Sequence, residues 1–326
     1  MTGSDDVLER VRERLRSSPP CGVPHVDRLV ADALRPGKLL RPDLVIRSAA
    51  VARGGPDPDP EGMRRVVEGA LSMELLHVAT LVHDDIIDGS GVRRGRPSVV
   101  ASAGVATAIV VGDLLLARGV AAAAESSSAA AAVWARALEC MACGQLRESG
   151  LAESPSIEAH AEYASLKTAE LFRASAEIGA LAAGADAEVV KALGRFGLHF
   201  GIAFQHVDDL LDVIGDSRRM GKPSGADASN GVPTAVSLLS GRNTLEDVAG
   251  LVTAELDEAR AALPPGVAAA ALGDWGVLAL RRAALAAVDA TDRDLTDRLT
   301  SAFSRLEHAS DHPPLELRSC HNSSLA

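Results

Sequence analysis

Aromatic side chains are scarce in this chain, with two tryptophans, one tyrosine and five phenylalanines among 326 residues. A pocket walled by aromatic faces, the usual surroundings of an unpaired organic cation, is hard to build from so few. Lysine is scarcer still: arginine supplies 29 of the 33 basic residues, leaving Lys38, Lys167, Lys191 and Lys222. Four cysteines at 21, 140, 143 and 320 are too few and too irregular for a disulfide framework. Cys140 and Cys143 form a C-x-x-C, but no second pair or nearby histidine completes a zinc site. An excess of positive charge is also missing. The net charge of −11 excludes a phosphate-backbone partner, so no nucleic acid is expected. The start, "MTGSDDVLER", lacks the basic and apolar regions of a signal peptide. The longest apolar segment, "VATAIVVGDLLLARGVAAAA", is broken by Asp113 and Arg118 and reads as a buried helix, with no transmembrane segment expected. A cytoplasmic protein is the expectation.

What is abundant is alanine and leucine at helical spacing, with few β-branched runs. Breaks fall at 53–62, 88–97, 149–156, Gly184, 215–233 and 263–267. The stretch 215–233 is long enough to be a functional loop. An all-α chain follows, with one helical domain over 1–308 and a mobile tail over 309–326 that has no periodicity.

Two stretches interrupt this apolar pattern in the same way. "HDDIID" places Asp84, Asp85 and Asp88 at the end of a helical run, and "HVDDLLD" repeats the spacing with Asp208, Asp209 and Asp212. Positions four apart share a helix face. Like charges there destabilise a helix by roughly 0.2–0.5 kcal/mol per pair, and by more when withdrawn from water. A cation removes that cost. Aspartate oxygens with no thiolate or imidazole beside them suit a hard ion, and Mg²⁺ takes one or two carboxylates together with substrate phosphates. One such cluster alone reads better as a solvated helix face; two in apolar helices, each followed by basic residues, reverse that balance. Arg93 and Arg94 lie five and six residues past Asp88 in a glycine-bounded loop, where guanidinium groups could fork onto phosphate oxygens.

The ordered set "PGKLLRP", "ELLHVATLVHDDIIDGSGVRRGRP", "GDLLL", "KTAELF", "GIAFQHVDDLLDVIGD" and "GKPSGAD", spread over about residues 35 to 240, resembles the trans-polyprenyl (isoprenyl) diphosphate synthases. The resemblance implies an antiparallel helical bundle with a central cavity. It implies that Asp84, Asp85, Asp88, Asp208, Asp209 and Asp212 hold Mg²⁺ against an allylic diphosphate, which Arg93, Lys167 and Lys222 grip from the other side. Lys38, Arg41, His77 and Arg94 match positions that bind isopentenyl diphosphate, and Thr168 and Gln205 match residues near the reacting carbons. The chain departs from the family pattern at Pro36-Gly37 and Leu39, at Gln145, and at Val232, which stands where a lysine is frequent.

The implied reaction is ionisation of the allylic diphosphate, attack by the isopentenyl double bond and loss of a proton. Leu76, Ala79 and Thr80 precede the first cluster and would line the channel for the growing tail. Ala79 and Thr80 are small, so products of twenty carbons or longer are expected. A terpene cyclase would share the fold and an acidic motif, and a non-catalytic subunit of a heteromeric synthase would share both; the scarcity of aromatics speaks against the first and the six retained aspartates against the second. A homodimer is what the resemblance suggests.

Overall fold

The computed structural model describes residues 3–54, 58–153, 155–214, 233–239 and 244–288, with positions 297, 300 and 303. The order is α1 (Gly3–Arg16), α2 (Pro24–Ala33), α3 (Leu40–Arg53) and α4 (Pro60–Ile87), then β1 (Val92–Arg93) and β2 (Arg96–Pro97). There follow α5 (Val99–Ser126), α6 (Ser128–Glu153), α7 (Ile157–Ala164), one π-helical turn (Ser165–Ala169), α8 (Glu170–Ala182) and α9 (Ala187–Ile214). Last come α10 (Ala235–Leu238), α11 (Thr244–Ala262) and α12 (Val267–Ala287). The all-α expectation holds. The turn expected as a loop instead closes into a two-stranded hairpin, with Val92 opposite Pro97 and Arg93 opposite Arg96. The expected tail at 309–326 and most of the long segment at 215–233 lie outside the described residues.

Helix α4 is the axis of the fold, and its ends are set by local chemistry. The Asp59 carboxylate accepts the Gly62 N–H at 2.7 Å, and Pro60 sits in the first turn where its missing N–H costs nothing. The helix stops where Gly89 turns to φ +64°. Between these ends Ala70, Met73, Leu76 and Ala79 are fully buried. Helix α5 runs antiparallel to α4: Arg64 meets Glu125 at 3.0 Å near one end, and His83 Nε2 lies 3.3 Å from the Ile109 carbonyl oxygen near the other.

A second apolar cluster joins α8, α9, α11 and α12 around Phe172, Phe196, Phe200 and Trp275. Phe172 meets Phe200 edge-on at 5.1 Å, and Trp275 lies 5.2 Å from the same ring. The stripe at 196, 200 and 204 is thus spent mostly on packing, since Phe196 and Phe200 are fully buried.

One expectation fails for a physical reason. The apolar run in α5 is not a buried helix: only 28% of its most apolar stretch is covered, against 78% for α4. Val105, Ile109, Val110 and Val120 face outward. Among the described residues α4 and α5 are the two helices long and apolar enough to cross a membrane, and α4 is plainly a core helix.

Glycine sets how closely α3 and α8 approach. A methyl group at Gly179 would fall 2.2 Å from the Val45 carbonyl oxygen, a backbone atom with nowhere to go, whereas nothing lies within 4 Å at Gly250 on α11. Gly179→Ala should therefore cost at least about 1–3 kcal/mol, while Gly250→Ala should add about 0.5–1 kcal/mol. Urea unfolding of both variants checks this, and equal effects would contradict the packing described.

Candidate active site

Three aspartates end α4, and their surroundings differ. Asp85 is 2% exposed and turns inward, where it accepts a hydrogen bond from Arg93 Nε at 2.9 Å across the hairpin. Asp84 and Asp88 face the other way. Burial pushes the Asp84 carboxyl up to about 6, with Asp88 adding to the rise and the Lys167 ammonium opposing it. Asp88 is also raised by burial, again against Lys167. Two carboxylates one helical turn apart are therefore held in a partly dry place, with positive charge approaching from Lys167 and Arg93.

On α9 the pattern repeats. Asp209 and Asp212 are 2% and 1% exposed, while Asp208 is half-buried. The Asp209 carboxylate is fixed from several sides: Gln205 Nε2 donates to Oδ1 at 2.7 Å, the Ala235 N–H donates to Oδ2 at 2.9 Å, and His160 Nε2 lies 2.8 Å from Oδ2. His160, His206 and Asp209 place three possible ligand atoms within 4.8 Å of one another, all buried. With three donors already on Asp209, the group works as an anchor for that carboxylate. Burial lowers His206, which is therefore neutral.

The π-helical turn connects the two aspartate rows. Thr168 Oγ1 donates to Gln205 Oε1 at 2.6 Å, and Gln205 passes the contact to Asp209. One residue earlier, Lys167 Nζ donates to Glu148 Oε2 at 2.9 Å and sits 5.3 Å over the Tyr163 ring. Tyr163 and Gln145 also donate to Glu148. A π turn inserts one extra residue and rotates the following side chains, a distortion found often at functional sites. Here it turns Lys167 toward the first cluster and Thr168 toward the second. Helix α6 supports it closely: a methyl group at Gly144 would lie 2.7 Å from the Lys167 amide nitrogen. Glu148, Tyr163 and His160 were not visible as site residues in the sequence. The one usable signal was Tyr163, the sole tyrosine, four residues before Lys167.

A cationic pocket adjoins Asp208. Arg41 stacks over the Phe172 ring at 4.6 Å and burial lowers its pKa to about 10, so it remains charged at neutral pH. Lys38 is lowered by burial and steadied by Asp208. His77 is pushed well below its usual value by burial and by Arg41, Arg94 and Arg93, and so is a neutral imidazole. Glu74, 3% exposed, is raised by burial and steadied by Arg41 and Arg94. Arg94 Nη1 donates to the Arg35 carbonyl at 2.9 Å, and its guanidinium lies where a methyl group on Gly37 would be 3.0 Å away. Leu39 and Arg94 are the non-glycine residues with left-handed backbones, φ 51° and 52°, among those described. Both border this pocket, where strain of about 1 kcal/mol or more is held in place by the surrounding contacts.

Asp84, Asp88, Arg93, Lys167, Thr168, Gln205, Asp208, Lys38, Arg41, His77 and Arg94 are thus linked through direct bonds or mutual electrostatic influence. Lys222 and Val232 lie outside the described residues. Below Asp84, Thr80 is partly exposed and donates to the His77 carbonyl at 2.9 Å, while Ala79 and Leu76 are closed off.

Helices that bring two aspartate rows to one set of cations define the class: an all-α isoprenyl synthase fold. The chain belongs to the polyprenyl synthetase family, whose model matches residues 23–259. Its similarity to the nonaprenyl diphosphate synthase of Mycobacterium tuberculosis is 36% identity over 217 residues, covering 66% of this chain and 63% of that protein. The geranylgeranyl diphosphate synthase of Saccharolobus solfataricus is 35% identical over 221 residues, covering 65% of this chain and 64% of that one. The chain thus matches less than two thirds of the length of either relative. A crystal structure of a polyprenyl synthase from Caulobacter crescentus, complexed with calcium and isoprenyl diphosphate, superposes with a TM-score of 0.74 at 30% identity. That match covers 85% of this chain and 94% of that one.

A carboxyl raised on folding from 3.8 to about 6 binds its proton more tightly in the folded chain. Its contribution to stability is present at low pH and is lost as pH rises between those values. Asp84→Asn should accordingly melt above the unsubstituted chain at pH 8 without added metal, and the gap should close below pH 4. Thermal unfolding across that range checks the sign, and a variant that melts lower at pH 8 contradicts it.

Proposed function

We propose that this chain is a trans-prenyltransferase that condenses isopentenyl diphosphate with an allylic diphosphate, giving a polyprenyl diphosphate of twenty carbons or longer. The observation that carries this reading is the pair Asp84 and Asp88, two carboxylates raised by burial and faced by Lys167 and Arg93. Such a pair is poorly served by its own protein and well served by a hard cation bridged to a diphosphate. Oxygen donors at Asp84, Asp88 and Asp208 fit Mg²⁺. When bound there, Mg²⁺ would draw negative charge from the leaving diphosphate. Asp85, Asp209 and Asp212 belong to the same rows and are more deeply buried. In our reading Asp85 aims Arg93 and Asp209 fixes Gln205, so these two support the ligands from behind.

Lys167 and Arg93 neutralise charge as it develops on the allylic diphosphate, with Lys222 assigned beside them by its place in "GKPSGAD". Arg41, Lys38, Arg94 and neutral His77 hold the isopentenyl diphosphate. His77 serves as a hydrogen-bond donor, because an added proton there would be repelled by three arginines. Thr168 and Gln205 present their dipoles next to the reacting carbons. The allylic C–O bond breaks, the isopentenyl double bond attacks the resulting cation, and the proton lost afterward goes to the released diphosphate.

The cyclase reading loses support because Phe172, Phe196 and Phe200 are fully buried in the core. The subunit reading is tested by activity of the chain on its own. The outward apolar face of α5 fits burial against a second copy, and we infer a homodimer working in the cytoplasm. Val110, 65% exposed, is the residue to charge. Val110→Glu should yield a monomer by sedimentation with unchanged helicity, and a dimer that persists would place the interface elsewhere.

Incubating the purified chain with both diphosphates and Mg²⁺ should give chain growth. Lys167→Ala should lower kcat/KM for the allylic substrate about 100-fold or more, in keeping with loss of a half-buried charge at the leaving group. Cyclised hydrocarbon without growth would establish the cyclase instead, and activity only on adding another subunit would establish the partner role.

A further inference from the structure

The second aspartate row reads as oxygen alone in the sequence, and packing brings nitrogen to it. His206 precedes Asp209 by three residues, so both lie on one face of α9. His160 comes from α7, which runs directly into the π turn, and its Nε2 lies 2.8 Å from Asp209 Oδ2. The two imidazoles stack, with ring centroids 6.2 Å apart and planes at 22°. His160, His206 and Asp209 are 1%, 4% and 2% exposed, and each offers one ligand atom within 4.8 Å of the others. As an anchor for the carboxylate the group needs only one of its two rings. Gln205 and the Ala235 N–H already hold Asp209, and His160 completes the set. The second ring has no such work: Nδ1 of His206 is buried without a hydrogen-bond partner among the described residues. A polar nitrogen left bare in a dry place calls for something to engage it, and an ion is one such partner.

We propose that His160, His206 and Asp209 form a second metal site, separate from the Mg²⁺ positions at Asp84, Asp88 and Asp208, that takes a transition ion of the Zn²⁺ class and clamps α7 to α9. Two imidazole nitrogens with one carboxylate oxygen are the donor set of zinc sites that leave a fourth position to water. Bonds of about 2.0–2.2 Å set tetrahedral ligand atoms about 3.3 Å apart. The His160–Asp209 pair therefore opens slightly from 2.8 Å, and the wider separations, all within 4.8 Å, close in. Mg²⁺ prefers oxygen and gives up its waters reluctantly, which leaves this site to the softer ion. The ion takes the place of the proton between His160 Nε2 and Asp209 Oδ2. That proton passes to Nδ1 of the same ring, which has no hydrogen-bond partner among the described residues, so none is released. Because α7 leads into the turn that carries Lys167 and Thr168, the clamp fixes how that turn meets α9. The site is independent of the prenyltransferase reading: a chain without synthase activity would still bind the ion.

Metal counting on the full chain tests this. The protein is stripped with a chelator, returned to excess Mg²⁺, titrated with Zn²⁺ and dialysed. One Zn²⁺ per chain should be retained, and it should raise the melting temperature. His206→Leu and His160→Gln should each weaken Zn²⁺ binding at least about 10-fold, although the glutamine can still donate to Asp209. Asp84→Asn should leave Zn²⁺ binding unchanged. Co²⁺ in the unsubstituted protein gives a readout that needs no variant to fold: the visible bands of a four-coordinate ion should appear, without the near-ultraviolet charge-transfer band of a thiolate. Failure to retain Zn²⁺ over Mg²⁺, retention that survives both histidine variants, or loss with Asp84→Asn overturns the site. A six-coordinate Co²⁺ spectrum, or a thiolate band from Cys140 and Cys143, overturns it as well.

Discussion

The fold is organised around carboxylates that are partly dried out before their cation arrives. Placing Asp84 and Asp88 one turn apart at the end of a core helix costs the folded chain stability at neutral pH, and burial rather than mutual repulsion is the larger cause. Such a cost persists only if something binds there and offsets it. The neighbouring structure follows from that requirement. Half-buried cations approach from the hairpin and the π turn, Arg93 aimed by the inner Asp85 and Lys167 by Glu148.

Placement is achieved by distortions of otherwise regular elements. A π turn separates the directions of Lys167 and Thr168, and left-handed backbones at Leu39 and Arg94 set the mouth of the cationic pocket. Close contacts at Gly144 and Gly37 leave these groups little room to move. The polar chain Thr168, Gln205, Asp209 and His160 then ties the π turn and α7 to the second aspartate row, so that displacement of either end is felt at the other.

The apolar half of the molecule serves the same site. The phenylalanines and Trp275 pack the second cluster and leave Phe172 with one face under Arg41, steadying a buried charge. On the other side, α4 and α5 approach closely because Gly112 admits the His83 ring, and α5 and α6 because Gly119 admits the Trp134 indole.

The sequence by itself determined the helical class, the two aspartate rows and the basic residues that accompany them. These are legible because helical period and charge spacing are local properties, carried by residues four or five apart. Tertiary structure decided which member of each row points outward, since Asp84 and Asp85 differ only by the rotation of one residue on a helix whose buried face is defined by its neighbours. It also decided the partners Glu148 and His160, which come from distant segments and have no sequence signal of their own, and the role of Tyr163, whose only signal was its rarity. The outward face of α5 was misread for the same reason: an apolar stripe shows that something must cover it, but not whether the cover belongs to this chain. Burial and approach between helices are properties of the packed whole, and no window of sequence contains them.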